Sequence, residues 1–174
     1  RQAGIGVLGQ YTIPQPPLYG SYQEFAIVLG AVIAIGVVLF DKTQSLLPKF
    51  DRKSPKMIVI ALLSFAVIGV MAMYFPEILG NGKAGNQLTF TDLVGWDYAL
   101  GLLATKWIAV LLALMAGAYG GRITPSMMLG STLALAFAAL WSIMVSPVHL
   151  GFAAFIGAVI FLGLAQKMPL TSCV

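Results

Sequence analysis

From residue 107 to residue 145 the chain runs 39 residues with a single charge, Arg122. About 20 residues cross the hydrocarbon core of a bilayer as a helix, so this tract is long enough for two crossings. Its middle reads "GAYGGRITPSMM", residues 117–128. Three glycines and a proline there prevent one continuous helix. Lipid offers no partner to a free N–H or C=O, so a backbone break at membrane depth must be buried in protein or line a wet cavity. The tract therefore demands a polytopic helical membrane protein with an interrupted helix. Composition agrees, with 59% hydrophobic residues, 9% charged residues and a mean hydropathy of +0.92. Soluble chains carry about 25% charged residues, and soluble classes are set aside. The net charge of +4 comes without a basic patch interleaved with aromatics, so nucleic acid is not an expected partner.

Residues 1–21 are rich in Gly, Pro, Tyr and Gln, and "YTIPQPPLYG" is incompatible with a helix. They read as a surface linker ahead of a transmembrane domain over residues 22–174. The first span is predicted over 25–40. Residues 41–56, "DKTQSLLPKFDRKSPK", hold five of the ten basic residues. The positive-inside rule puts this loop in the cytoplasm. A second span follows over 57–75, ended by Pro76. "FPEILGNGKAGN", residues 75–86, reads as a break. Thr91 or Asp92 is expected to cap a helix running through Lys106 to about Gly117. Two further helices are predicted, over 125–145 and 150–166, with Lys167 and Pro169 ending the last. "PLTSCV" reads as the start of another helix. Both ends of the sequence read as cut from something longer. The small-residue spacings Gly130/Ala134/Ala138 and Ala153/Gly157 suit close helix packing in lipid.

The break at 117–128 has a specific chemical consequence. Thr124 is a good N-cap and Pro125 a good first helical residue, so a helix should start near Pro125. Gly120 and Gly121 shape the turn that leads into it. A helix N-terminus presents free N–H groups and about half a positive charge. Aimed into a cavity of low dielectric it is an anion site, and broken helices serve transporters in this way. Arg122 adds a full positive charge. The alternative is a plain turn between two spans, with Arg122 snorkelling to the surface.

Other residues carry less. Glu77 reads as a surface-facing side chain that caps or pairs with Lys83, rather than as a proton carrier. Lys106 lies mid-span and must face protein or water. Its expected role is to support the packed interior by bonding backbone carbonyls. His149 reads as interfacial, and Trp96, Tyr98 and Trp141 suit aromatic belts. The eight methionines are packing residues, and Cys173 is a lone apolar residue. No catalytic residue, metal or cofactor is expected.

"GGRITP" followed by "SMMLG" resembles the GG-x-x-x-P motif of the CLC chloride channels and proton-coupled anion exchangers. In that family the motif opens a helix aimed at the central chloride. "ATKWIAVLLALMAGAYGG" resembles the preceding family helix, with Lys106 at its basic position. "GFAAFIGAVIFLGLAQKMPLT" resembles the following one. "FPEILGNGKAG" sits where the family has a Gly-rich segment that opens a short helix. The resemblance spans roughly residues 22–174, the end of the first half and most of the second half of a subunit.

The resemblance implies an all-α, polytopic membrane fold of tilted, broken and re-entrant helices, here incomplete. It further implies an inverted repeat and a homodimer in the bilayer, with the first span near the dimer interface. It also implies a central chloride or other small halide, fluoride included, bound in part by the backbone amides of Arg122 and Ile123. The multi-pass protein would then sit in a prokaryotic plasma membrane. The family's serine-bearing loop, gating glutamate and last-helix tyrosine have no match in these residues, so channel and exchanger are both open. Two other classes stand beside anion transport. A cation-coupled transporter of another broken-helix type would need a carboxylate at midplane. A membrane subunit without transport would turn Arg122 to a partner or to the headgroups.

Overall fold

The computed structural model describes residues 22–48, 55–80, 82–91, 95–118, 123–145 and 147–167. The linker over 1–21, Asp92, Gly120, Gly121, Arg122 and the "PLTSCV" segment lie outside the described residues. The described residues form six α-helices and one 3-10 turn. The helices are α1 (Tyr22–Ser45), α2 (Lys56–Tyr74), α3 (Lys83–Phe90), α4 (Trp96–Met115), α5 (Ile123–Met144) and α6 (Leu150–Gln166). The 3-10 turn, Pro76–Ile78, lies between α2 and α3. Four of the helices (α1, α2, α4 and α5) are long and apolar enough to cross a membrane. At 17 residues α6 is shorter.

The two spans around the charged loop fall where apolar length puts them, with one difference. α1 runs to Ser45, five residues into the expected loop. Local bonds hold that extra turn. Thr43 Oγ1 donates to the Phe40 carbonyl at 2.8 Å, Ser45 Oγ donates to the Lys42 carbonyl at 2.7 Å, and Trp107 Nε1 donates to Thr43 Oγ1 at 3.2 Å. α2 stops at Tyr74, two residues before Pro76, because a proline disfavours the α region in the residue before it.

The break after α2 folds into more than a loop. Gly80 and Gly82 take φ values of +66° and +87°, a region that side-chain-bearing residues enter only at a cost. These turns let the chain start α3 at Lys83. Thr91 belongs to the end of α3, not to the start of α4: its hydroxyl donates to the Gln87 carbonyl at 2.9 Å. α4 begins at Trp96 behind Gly95, with no side-chain cap. Asp97 in its first turn complements the helix dipole instead.

α5 is the hub, packed against α1, α3, α4 and α6. One stripe of α1 (Phe25, Leu29, Ile33, Val37, Phe40) is buried against Leu129, Ala134, Ala138, Ala153 and Phe161. Spacings of three and four residues put that stripe on one helix face. Ile27, Ile35 and Val38 on other faces are exposed. The small-residue spacing works as expected between α5 and α6. A Cβ on Gly157 would lie 2.6 Å from the Gly130 carbonyl oxygen and would collide with Ala134. The two backbones touch directly there. α2 is the opposite case, with exposed apolar residues around nearly its whole circumference. That pattern suits a helix facing lipid.

Candidate functional site

α4 ends in a fully bonded turn. Gly117 takes φ +76°, its N–H donates to the Leu114 carbonyl at 3.0 Å, and the Ala118 N–H donates to the Ala113 carbonyl at 3.0 Å. This is the Schellman arrangement, in which a left-handed glycine closes the last carbonyls of a helix. The chain then re-enters a helix at Ile123. The start lies two residues earlier than the expected Pro125. Thr124 is therefore inside the first turn rather than its cap, and Pro125 keeps a first-turn place, where its missing N–H costs nothing. Ile123 is 58% exposed, and Ser126 is 3% exposed. No acidic residue occupies the first turn, so its amides face no carboxylate of their own helix.

A second helix start lies beside this one. A Cβ on Gly82, the N-cap of α3, would sit 2.9 Å from Met128 Sδ and 3.5 Å from the Thr124 carbonyl. Four residues on, Ser131 Oγ donates to Asn86 Oδ1 at 2.9 Å. The contacts advance in the same sense along both helices, so α3 and α5 run parallel with their N-termini together. Each terminus carries about half a positive charge, and the two fields add. α6 runs the other way, with Gln166 Nε2 3.5 Å from Ser126 Oγ. Asn86 is fully buried, and its Nδ2 has no hydrogen-bond partner among the described residues.

Lys106 completes the corner. It is 3% exposed, and its ammonium donates to the Ile78 carbonyl at 2.7 Å and to the Gly80 carbonyl at 3.2 Å. This is the expected carbonyl-bonding role, with the partners now identified as the break after α2. Neither bond brings a counter-charge. A cavity of about 440 Å³ reaches Ile78, Gly80, Lys106, Pro125 and Ser126, so the buried cation and the first turn of α5 share one space. No Asp or Glu is among the described residues that line it. Glu77 points elsewhere and accepts a hydrogen bond from Tyr98 Oη at 2.8 Å. His149 caps α6, where its Nδ1 accepts from the Phe152 N–H at 3.3 Å.

Of the expected site residues, the structure describes Ile123, Thr124 and Pro125 and places them in one turn. Sequence reasoning missed Ser126, Gly80 and the pairing of α3 with α5. A weak signal was available in "TPS", since a serine after a first-turn proline stays close to the helix end. The partnership of Gly82 with Met128, 46 residues apart, has no local signature.

Fold and site together define an all-α, multi-pass membrane protein whose helices are broken by glycine turns. The chain belongs to the voltage-gated chloride channel family, whose model it matches over residues 4–174. It is similar to the H(+)/Cl(−) exchange transporter ClcA of Vibrio vulnificus, strains YJ016 and CMCP6. Identity to each is 26% over 183 residues, covering 98% of this chain and 37% of the relative's length. No solved structure matches the chain. Members of this family move ions rather than catalyse reactions.

Proposed function

We propose that this chain forms part of a pathway for small inorganic anions, working as a membrane-embedded homodimer, with a halide held at the start of α5. The amides of Arg122 and Ile123 would supply the first contacts. The two parallel helix termini and the Lys106 ammonium would supply the surrounding positive potential. One observation carries the reading: the first turn of α5 and a buried cation with no counter-ion among the described residues line the same cavity. A cation-coupled carrier would need a carboxylate there, and none of the described lining residues is one. The exchange activity in the name of the Vibrio relatives supports anion transport as the class.

The test uses the full-length protein and Arg122. Backbone amides survive a side-chain change, whereas the guanidinium acts only if it faces the ion. A unit charge about 4 Å from an ion is worth about 4 kcal/mol at an effective dielectric of about 20. Arg122→Ala should weaken chloride and fluoride binding by calorimetry and leave a measurable site. Arg122→Glu should weaken it far more, because the charge reverses beside the same amides. Efflux from proteoliposomes should follow the same order. Binding and efflux unchanged in both variants would return Arg122 to the snorkelling role.

The orientation belongs to the same proposal. With residues 41–56 in the cytoplasm, a cysteine at Ser54 in full-length protein resists an impermeant thiol reagent added outside cells. Labelling from outside reverses the topology.

A further inference from the structure

The cavity beside Lys106 is built for more than a halide. Phe40 of α1, Phe65 and Ile68 of α2, and Val110 and Ala113 of α4 give it long apolar walls. Its volume of about 440 Å³ is far more than one halide fills. A single halide would leave most of this wall against water. A purely hydrocarbon guest would leave the Lys106 ammonium without a counter-ion. The third N–H of that ammonium has no partner among the described residues, since the carbonyls of Ile78 and Gly80 take the other two. Ligand pockets of about 300–1,000 Å³ with apolar walls and a few placed polar groups take ligands divided in the same way.

The mouth also points to the source of the ligand. α1 and α2 both line the cavity, and no extensive packing joins them among the described residues. Phe65 at its edge is half exposed on α2, the helix with the least buried surface of the four spans. A chain reaching the cavity past Phe65 would cross the exposed apolar surface of α2.

We propose that the cavity between α1, α2 and α4 binds a long-chain fatty acid drawn from the bilayer, with its carboxylate on Lys106 and its chain along Phe40, Phe65, Ile68 and Val110. The site shares Lys106 and the cavity with the halide reading but uses none of the α5 amides, and its test measures no halide, so the two can fail separately.

Trp107 is the reporter, because its ring meets Phe40 edge-on with centroids 5.1 Å apart. Full-length protein in neutral detergent is titrated with dibromostearate, whose bromines quench tryptophan. The signal is the saturable quenching that disappears in Trp107→Phe. Dibrominated stearyl alcohol, with the same chain and no charge, should bind at least tenfold more weakly. Ala113→Phe, which fills the wall and leaves Lys106 in place, should abolish the quenching while Trp107 still emits. Lys106→Met should bring the acid down to the level of the alcohol. If that variant does not fold, the acid–alcohol ratio and Ala113→Phe decide alone. Equal binding of acid and alcohol would overturn the proposal, because the cation would then select nothing. Absence of saturable quenching would do the same, and would mean that another part of the full-length protein fills the cavity. Quenching that persists in Ala113→Phe would place the chain elsewhere and also reject it.

Discussion

Gly130→Val should leave the full-length protein unable to form a stable, monodisperse state in detergent. The reason is the absence of any side chain able to move. A Cβ at Gly130 would run into the backbone carbonyl of Gly157 and the Cβ of Phe161. Both neighbours are fixed by α6, so relief requires separating α5 from α6 along the tightest seam of the fold. Overpacking usually costs about 1–3 kcal/mol, and more where the backbone must shift. In lipid the loss is compounded, because close backbone approach is itself a source of helix association. Two other glycines set the scale. At Gly36 an added Cβ meets the end of the flexible Leu133 side chain, and at Gly30 it meets nothing within 4 Å. Gly36→Ala should therefore cost little. Gly30→Ala should be neutral or slightly stabilising, because alanine is the better helix former. Thermal unfolding and gel filtration of the three variants should rank them in that order. A Gly130→Val protein as stable as Gly30→Ala would show that α5 and α6 do not meet as described.

Lys106 should produce the second large effect, and two substitutions separate its charge from its volume. Lys106→Met keeps a long side chain and removes the ammonium. It leaves the Ile78 and Gly80 carbonyls without their donor, at about 1–3 kcal/mol for the buried Ile78 group and less for the exposed Gly80. It also removes the cost of burying a cation, which works in the opposite direction. The balance is a modest loss of stability. Lys106→Glu has no such compensation. It places a carboxylate against two carbonyl oxygens, inside a wall with no cation among its other described residues. Breaking a buried charged arrangement typically costs about 3–5 kcal/mol, a large share of the 5–15 kcal/mol that holds a typical domain together. Full-length Lys106→Glu should fail to accumulate as folded protein, while Lys106→Met should be recovered with a lowered unfolding temperature. Equal stability of the two would show that the side chain reaches water and that the tie to the break is not formed.

Much of the helical plan was legible without coordinates. The end of α2 before Pro76 and both bounds of α6 follow from apolar length and from proline and lysine stop signals. The role of Lys106 was legible too, because a lysine in mid-span can only face protein or water. The start of α5 was legible to within two residues, since "ITPS" contains more than one acceptable starting position.

What escaped was the identity of the partners that lie far apart in sequence. α3 is eight residues long, below the length at which a helix holds itself in water. It exists because Gly82 and Gly85 lie against Met128, and Asn86 bonds Ser131. Those contacts are invisible to any local period, so "FPEILGNGKAGN" reads from its own residues as a break until α5 is laid beside it. The same holds for the cap expected at Thr91, whose hydroxyl bonds the carbonyls of α3. Local hydrophobicity and the glycine and proline punctuation determined which stretches cross the membrane and where they stop. The tertiary structure alone decided that the first turn of α5 and an ammonium with no counter-charge among the described residues line a single cavity, with the start of α3 packed beside that turn. The physical reason is that membrane helices declare themselves one at a time by length. The positive corner is a sum of fields from segments up to 46 residues apart in the chain, and such a sum exists only after the segments have packed.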